Sequence, residues 1–286
     1  RTAGAAPIMT AAVRWSVRYG TKGAGLGAPP ARMAILAMGR CGGREVDFSS
    51  DGEVIVIYDP TVADADDART ARFVRSAVND IRTMLQGGTT LEPKIDIDFD
   101  LRPEGRNGPL ARSLGSCREY YEKWSDTWEH QALIRARHAA GDETLSREFL
   151  TTVADPLRYP HEPPAETQVS DIRKLKARME AERLPRGVRR ERHLKLGRGG
   201  LSDVEWTIQL CQLRHAGRCP ELRTESTLGA LDAMEGLCLI EPEDAHALRT
   251  AWSCARPRAT GTICGADGPP APTSFRTISI RSGQSP

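Results

Sequence analysis

Along the first half of the chain the apolar positions fall into short unbroken runs rather than one long stripe. Met33-Ala34-Ile35-Leu36-Ala37-Met38, closed by Gly39, predicts a strand covered on both faces. Val54-Ile55-Val56-Ile57-Tyr58 predicts a second. Over residues 68–85 the period changes, and Ala71, Val74, Val78, Ile81 and Leu85 share one side of a helix that Gly87-Gly88 ends. Residues 94–103 then alternate strictly. Ile95, Ile97 and Phe99 occupy one strand face, while Asp96, Asp98 and Asp100 stand on the other. Strand, helix and strand in this order predict an α+β domain built on a mixed sheet.

Residues 1–30, rich in Gly, Ala, Pro and Arg, show no sustained period and are expected to be a poorly ordered lead-in. A first domain is expected over residues 31–155. Within it, residues 113–139 predict helix in one or two pieces, with Tyr120, Tyr121, Trp124 and Trp128 at packing spacing and Arg135 and Arg137 near the C-terminal end. The proline-rich stretch 156–164 predicts a linker. Beyond it Ser170 is expected to cap a helix over 171–184, with Ile172, Leu175 and Met179 inward, stopped by Pro185-Arg186-Gly187. Further helices over 202–215, 226–237 and 241–254 predict a helical bundle across 165–255. Residues 256–286, dominated by Pro, Gly, Ser, Thr and Arg, predict a disordered or aberrant tail.

Charge and cysteine usage narrow the class. A formal net charge of +2 gives no bulk attraction for nucleic acid. No apolar run approaches the roughly 20 residues of a membrane span. The seven cysteines contain no Cys-x-x-Cys pair and no zinc-like spacing with the six histidines, which predicts reduced thiols in a cytoplasmic protein.

Candidate chemistry gathers on the carboxylates. Three in a row on one strand face repel one another and call for a cation. Asp51-Gly52-Glu53 opens the second strand with two more, about 6–7 Å apart along one face, and two such strands side by side suit magnesium ions in phosphoryl chemistry. The turn at Gly42-Gly43, with Ser49 or Ser50, offers N–H and hydroxyl groups to phosphate oxygens. It lacks the Gly-Lys-Ser/Thr ending of a Walker loop and does not form a dinucleotide fingerprint. Arg102 and Arg106, in the Gly/Pro-rich loop after the acidic strand, point to anions. Lys195, Arg198 and Gly199-Gly200 precede Asp203 and Glu205. The helix dipole accounts for acids in a first turn, and the other reading sends the loop's cations to nucleotide phosphates. No Ser-His-Asp signature is present.

The runs MGRCGGREVDFSSDGEV, DFDLRPEGRNGPL, TWEHQALIRAR and HLKLGRGGLSDVEWTIQL closely resemble the glutamine synthetase adenylyltransferases, bifunctional enzymes of bacterial nitrogen control, over roughly residues 32–255. TWEHQALIRAR resembles the adenylyl-transferring half rather than the adenylyl-removing half, and LRPEGRNGPL an actinobacterial version. The resemblance implies a polymerase-β-like nucleotidyltransferase domain followed by a helical one. It implies transfer of AMP from ATP to a tyrosine of glutamine synthetase, with Mg2+ held by Asp51, Glu53 and Asp98. Asp98 would also be the catalytic residue that helps remove the tyrosine proton. Gly42, Gly43, Ser49, Ser50, Arg102 and Arg106 are the expected nucleotide contacts. Glutamine synthetase is the expected partner, the signalling protein PII a second that the resemblance admits, and nucleic acid and membrane are not expected. The chain departs from the family pattern at Glu53, where Asp is usual, and at Cys41, where an aromatic is usual. Residues 1–30 and those after 255 show no resemblance, and the other catalytic half is missing, so a fragment is expected. Its rival readings are an inactive piece that retains protein binding alone and the phosphorolytic removal of AMP.

Overall fold

The computed structural model describes residues 28–46, 51–61, 67–86, 96–184, 187 and 193–255, with positions 13, 14, 17 and 20. Ser49, Ser50, Gly87-Gly88, Ile95 and residues 256–286 lie outside the described residues, as does most of 1–30. The chain divides into two units, the first ending at Leu157 and the second beginning at Arg158, inside the proline-rich stretch.

In the first unit, β1 (Ala31–Ala37) and β2 (Gly52–Pro60) are the two apolar runs, paired antiparallel from Ala31↔Pro60 to Ala37↔Val54. On its far edge β1 takes β5 (Arg137–Gly141), also antiparallel. The free edge of β2 is shared in succession by two short parallel strands, β3 (Ile97–Asp98) and β4 (Ala111–Ser113). The result is a mixed sheet in the order β3-β2-β1-β5, with β4 beside β2.

Both faces of this sheet are covered, which explains why β1 and β2 read as continuous apolar runs. Met33, Ile35, Ala37, Val54 and Val56 meet α2 (Asp67–Leu85) through Val74, Ala77, Val78, Ile81 and Leu85. Ala71, the first residue of the expected stripe, is exposed. The alternate positions Ala34, Leu36, Ile55 and Ile57 pack on the other side against α3 (Leu114–Lys123) and α5 (Glu143–Phe149) through Leu114, Cys117, Tyr121, Leu145 and Phe149. Between α3 and β5 lies α4 (Thr127–Leu133). After α5 a π-helical turn, Leu150–Ala154, leads into α6 (Asp155–Arg158).

Three expectations differ from this architecture. The acidic strand stops after two paired residues, because the Asp98 carboxylate accepts from the Asp100 N–H (2.7 Å) and starts a turn there. Asp100 therefore leaves the face that the alternation assigned to it. Residues 137–141, expected at a helix end, form β5. Their alanines favour helix intrinsically, but pairing along β1 overrides propensity. Positions 13, 14, 17 and 20 are helical, and Val13 is buried in the α2-side core with Val17 packed against it, an i, i+4 pair inside a stretch judged to have no period.

The second unit is helical among its described residues: α7 (Glu166–Arg183), α8 (Leu201–His215), α9 (Thr227–Gly236) and α10 (Pro242–Ala255). Val204, Ile208, Cys211, Leu231, Met234, Leu248 and Trp252 form its core. Helix α7 starts at Glu166 rather than after Ser170, since Gln168 reaches back to accept from the Ala165 N–H (2.9 Å). Ser226 caps α9 by accepting from Gly229 N–H (3.2 Å).

Phe149, fully buried against Tyr121, is a test of the α5-side core. Phe149→Ala is expected to lower unfolding free energy by about 3–5 kcal/mol, read from urea denaturation. Burial also pushes the Cys117 thiol from 9.0 up to about 12. The folded state then holds a proton that the unfolded chain gives up above pH 9. Stability is therefore expected to fall as pH rises from 9 to 12, and Cys117→Ala should reduce that slope by up to about 1.4 kcal/mol per pH unit.

Candidate active site

The acidic positions converge through strand register. Glu53 on β2 lies directly opposite Asp98 on β3, and Gly52 opposite Ile97. The Gly52 N–H donates to the Asp96 carbonyl (2.7 Å), which fastens the start of the pair. Asp51, one residue before β2, is exposed, and the two-residue period carries it towards the face of Glu53. Glu53 and Asp98 are each half-buried. Among the described residues no three His, Cys, Asp or Glu side chains are drawn together tightly enough to hold a metal ion. The two inner carboxylates are turned to backbone donors: Glu53 Oε2 accepts from the Arg40 N–H (3.1 Å), and Asp98 Oδ1 from the Asp100 N–H (2.7 Å).

Gly42 and Gly43 close a one-turn helix, α1 (Gly39–Gly42), between β1 and β2. Its place is set by glycine. Gly39 has φ +47°, and a Cβ there would stand 1.6 Å from Glu53 Oε2. A Cβ on Gly42 would stand 1.8 Å from the Arg135 carbonyl oxygen. Only a bare backbone passes both points. The end of β1 is knitted to the start of β2 by the Met38 N–H, which donates to the Glu53 carbonyl (2.8 Å).

The far end of the turn is held by arginines that sequence reasoning placed on a helix and gave no role. Arg137 donates from Nε to the Gly42 carbonyl (2.7 Å) and from Nη2 to the Cys41 carbonyl (2.8 Å). Arg135 forms a buried ion pair with Glu45 (2.9 Å). The Cys41 thiol is pushed up by burial, drawn down by Arg137 and raised again by Glu53, so both charges reach it. The signal was present in the arginines ending TWEHQALIRAR, but only β5 pairing shows what they face.

Arg102 and Arg106, the expected anion contacts, serve the loop between β3 and β4. Arg102 is buried and donates to the carbonyls of Gly108 (3.1 Å), Phe99 (2.9 Å) and Arg106 (3.2 Å). Arg106 is 84% exposed and pairs with Asp100 at 2.8 Å. Nearby, the buried Glu129 accepts from Tyr120 Oη (3.0 Å) and from the Asp126 N–H (2.8 Å), with burial pushing its carboxyl up and these donors drawing it down.

In the second unit the loop at 193–200 is bound to its own helix. The Gly199 N–H donates to Asp203 Oδ2 (2.7 Å), and Lys176 pairs with both Asp203 and the buried Glu180. Asp203 thus has the helix-start role that the dipole argument gave it.

A family model described as glutamate-ammonia ligase adenylyltransferase matches residues 4–152, beginning well before residue 32, where the resemblance was expected to start. A second, described as GlnD PII-uridylyltransferase, matches residues 172–257. The chain is 59% identical over 246 residues to the bifunctional glutamine synthetase adenylyltransferase/adenylyl-removing enzyme of Bifidobacterium longum (strain DJO10A), covering 86% of this chain and 23% of that protein. It is 46% identical to the protein of the same name from Mycobacterium avium (strain 104), over 80% of this chain and 23% of the relative. For that of Mycobacterium tuberculosis (strain ATCC 25618 / H37Rv) the identity is 46%, over 79% and 22%. The chain thus spans less than a quarter of the length of these curated relatives.

The Arg135–Glu45 pair supplies a test of how firmly the turn is anchored. Glu45→Ala leaves a buried guanidinium without its carboxylate and is expected to cost about 3–5 kcal/mol in urea denaturation. The double variant Glu45→Leu/Arg135→Met should come closer to the wild type. A loss below about 1 kcal/mol in the single variant would mean that water replaces the pair.

Proposed function

We propose that this chain, which belongs to the glutamate-ammonia ligase adenylyltransferase family, carries a nucleotidyltransferase domain of polymerase-β type that moves AMP from ATP to a tyrosine of glutamine synthetase. The observation that carries this reading is the register of Glu53 with Asp98, which brings acids 45 residues apart onto neighbouring strands. Beside them lies a glycine turn packed closely against Glu53 Oε2 and the Arg135 carbonyl.

Carboxylate oxygens are the hard donors that magnesium takes, so the donor set fits by its chemistry, and Asp51, Glu53 and Asp98 would hold the ion once the Glu53 and Asp98 side chains turn from their backbone donors towards it. When bound, the metal supplies positive charge to the phosphates of the nucleotide. The chain's own residues have the remaining tasks. Asp98 accepts the proton of the attacking tyrosine hydroxyl, as a carboxylate within hydrogen-bond reach of the nucleophile does. Gly42 and Gly43 are buried and their N–H groups bond to the Met38 and Gly39 carbonyls, so their part in nucleotide binding is to shape the turn, with Ser49 and Ser50 as further donors. Arg106, exposed and paired only at the surface with Asp100, is available to a phosphate, because such a pair exchanges partners at little cost. Arg102 acts by holding the loop that carries Asp98.

The run TWEHQALIRAR favours transfer over removal of AMP. Removal by phosphate would use the same acids, and the two directions separate by assay. Glutamine synthetase is the proposed partner, with PII as a regulator of the longer protein and the cytoplasm as the compartment. No helix among the described residues is long and apolar enough to cross a membrane.

With labelled ATP, magnesium and purified glutamine synthetase, label is expected on the acceptor. Asp51→Ala and Asp98→Ala should each lower transfer by at least about a hundredfold, while the melting transition stays within a few degrees of the wild type. Transfer that persists in both variants would remove these acids from the site. Release of label from modified acceptor on adding phosphate would instead assign the removing activity.

A further inference from the structure

From the clamp on the glycine turn we infer that Arg137 is a positioning residue for nucleotide binding, acting through the backbone of α1. This rests on the nucleotidyltransferase reading above. A single helical turn does not stand by itself, since its first hydrogen bond fixes several residues at once. Here the Gly42 N–H bonds to the Met38 carbonyl (2.6 Å) and the Gly43 N–H to the Gly39 carbonyl (3.1 Å). The turn's other carbonyls at its C-terminal end, Cys41 and Gly42, accept from the Arg137 fork at 2.8 and 2.7 Å. The third arm, Nη1, donates to the His138 carbonyl (2.9 Å), which fixes the guanidinium on β5. A cation at that end also matches the sign of the helix dipole.

The opposite end of the same turn carries the Glu53 carboxylate on the Arg40 N–H (3.1 Å). α1 is thus tied at one end to β5 through Arg137 and at the other to β2 through Glu53. Three of the Arg137 bonds go to main-chain carbonyls. Its guanidinium holds two of them in one plane, which a lysine ammonium cannot reproduce. Its effect should thus be on binding of the triphosphate rather than on the sheet as a whole.

The test uses the 286-residue chain. Arg137→Lys keeps the charge and removes the fork, and Arg118→Ala, at an exposed arginine near Glu148, is the control. Titration calorimetry with Mg-ATP is expected to show about tenfold weaker binding in Arg137→Lys and none of this in the control. Amide exchange in residues 39–43 should quicken about tenfold, while β2 amides keep their wild-type rates. Equal binding in Arg137→Lys and wild type, or unchanged exchange in 39–43, overturns the inference alone. General loss of protection across the sheet would make Arg137 a fold residue and also overturn it. A wild-type chain that binds no Mg-ATP overturns the nucleotide reading and the inference with it.

Discussion

The register of Glu53 with Asp98 is the constraint on which the proposed chemistry depends, and the strand that makes it is two residues long. So short a strand has little power to choose its own register, yet a slip by one residue would turn Asp98 to the opposite face. Two other constraints choose for it. Downstream, β4 pairs with Val56, Ile57 and Tyr58 on the same edge of β2, so the chain between Asp98 and Ala111 is anchored at both ends. Within that segment Arg102 ties Phe99, Arg106 and Gly108 carbonyls to one guanidinium. The arginine that the loop's composition assigned to anions is what keeps the acid in place.

The departure at Glu53 has a physical account. Its main chain is fixed by strand pairing on one side and by the Met38 N–H on the other. The additional methylene of Glu over Asp carries the carboxylate on to the Arg40 N–H and over Gly39, where no Cβ fits. The same residue joins β2 to the glycine turn, which a shorter side chain from that backbone position reaches less far to do.

How much of this was legible follows from where each element's stabilisation resides. β1, β2 and α2 could be read directly, because burial on both sheet faces and on one helix stripe leaves periodic apolar residues. β4 and β5 could not. Ala111–Ser113 and Arg137–Gly141 are strands because β2 and β1 offer them unpaired edges, and nothing local in Ala-Arg-Ser or Arg-His-Ala-Ala-Gly favours extended chain. The acidic pair was visible as alternation, whereas the turn that removes Asp100 from it arises from one side-chain hydrogen bond. Glu45, Arg135 and Arg137 lie up to 96 positions from their partners, a separation at which spacing carries no signal.

The two glycine-rich turns look alike as sequence and differ in what occupies them. At Gly199 the backbone donor faces Asp203, whose other oxygen is already paired with Lys176, itself shared with a buried Glu180. An incoming phosphate would have to displace a carboxylate that is partnered on both sides and leave Lys176 to be satisfied again. At Gly39–Gly42 the carboxylate on the turn is Glu53, an acid that the proposed function assigns to the metal. A triphosphate in that place would bring more negative charge than the carboxylate it displaced, so in the proposed function a divalent cation has to offset Glu53 and Asp98 together. The loop before α8 is a brace for its own helix, and of the two turns the one beside β2 is the one the proposed function uses.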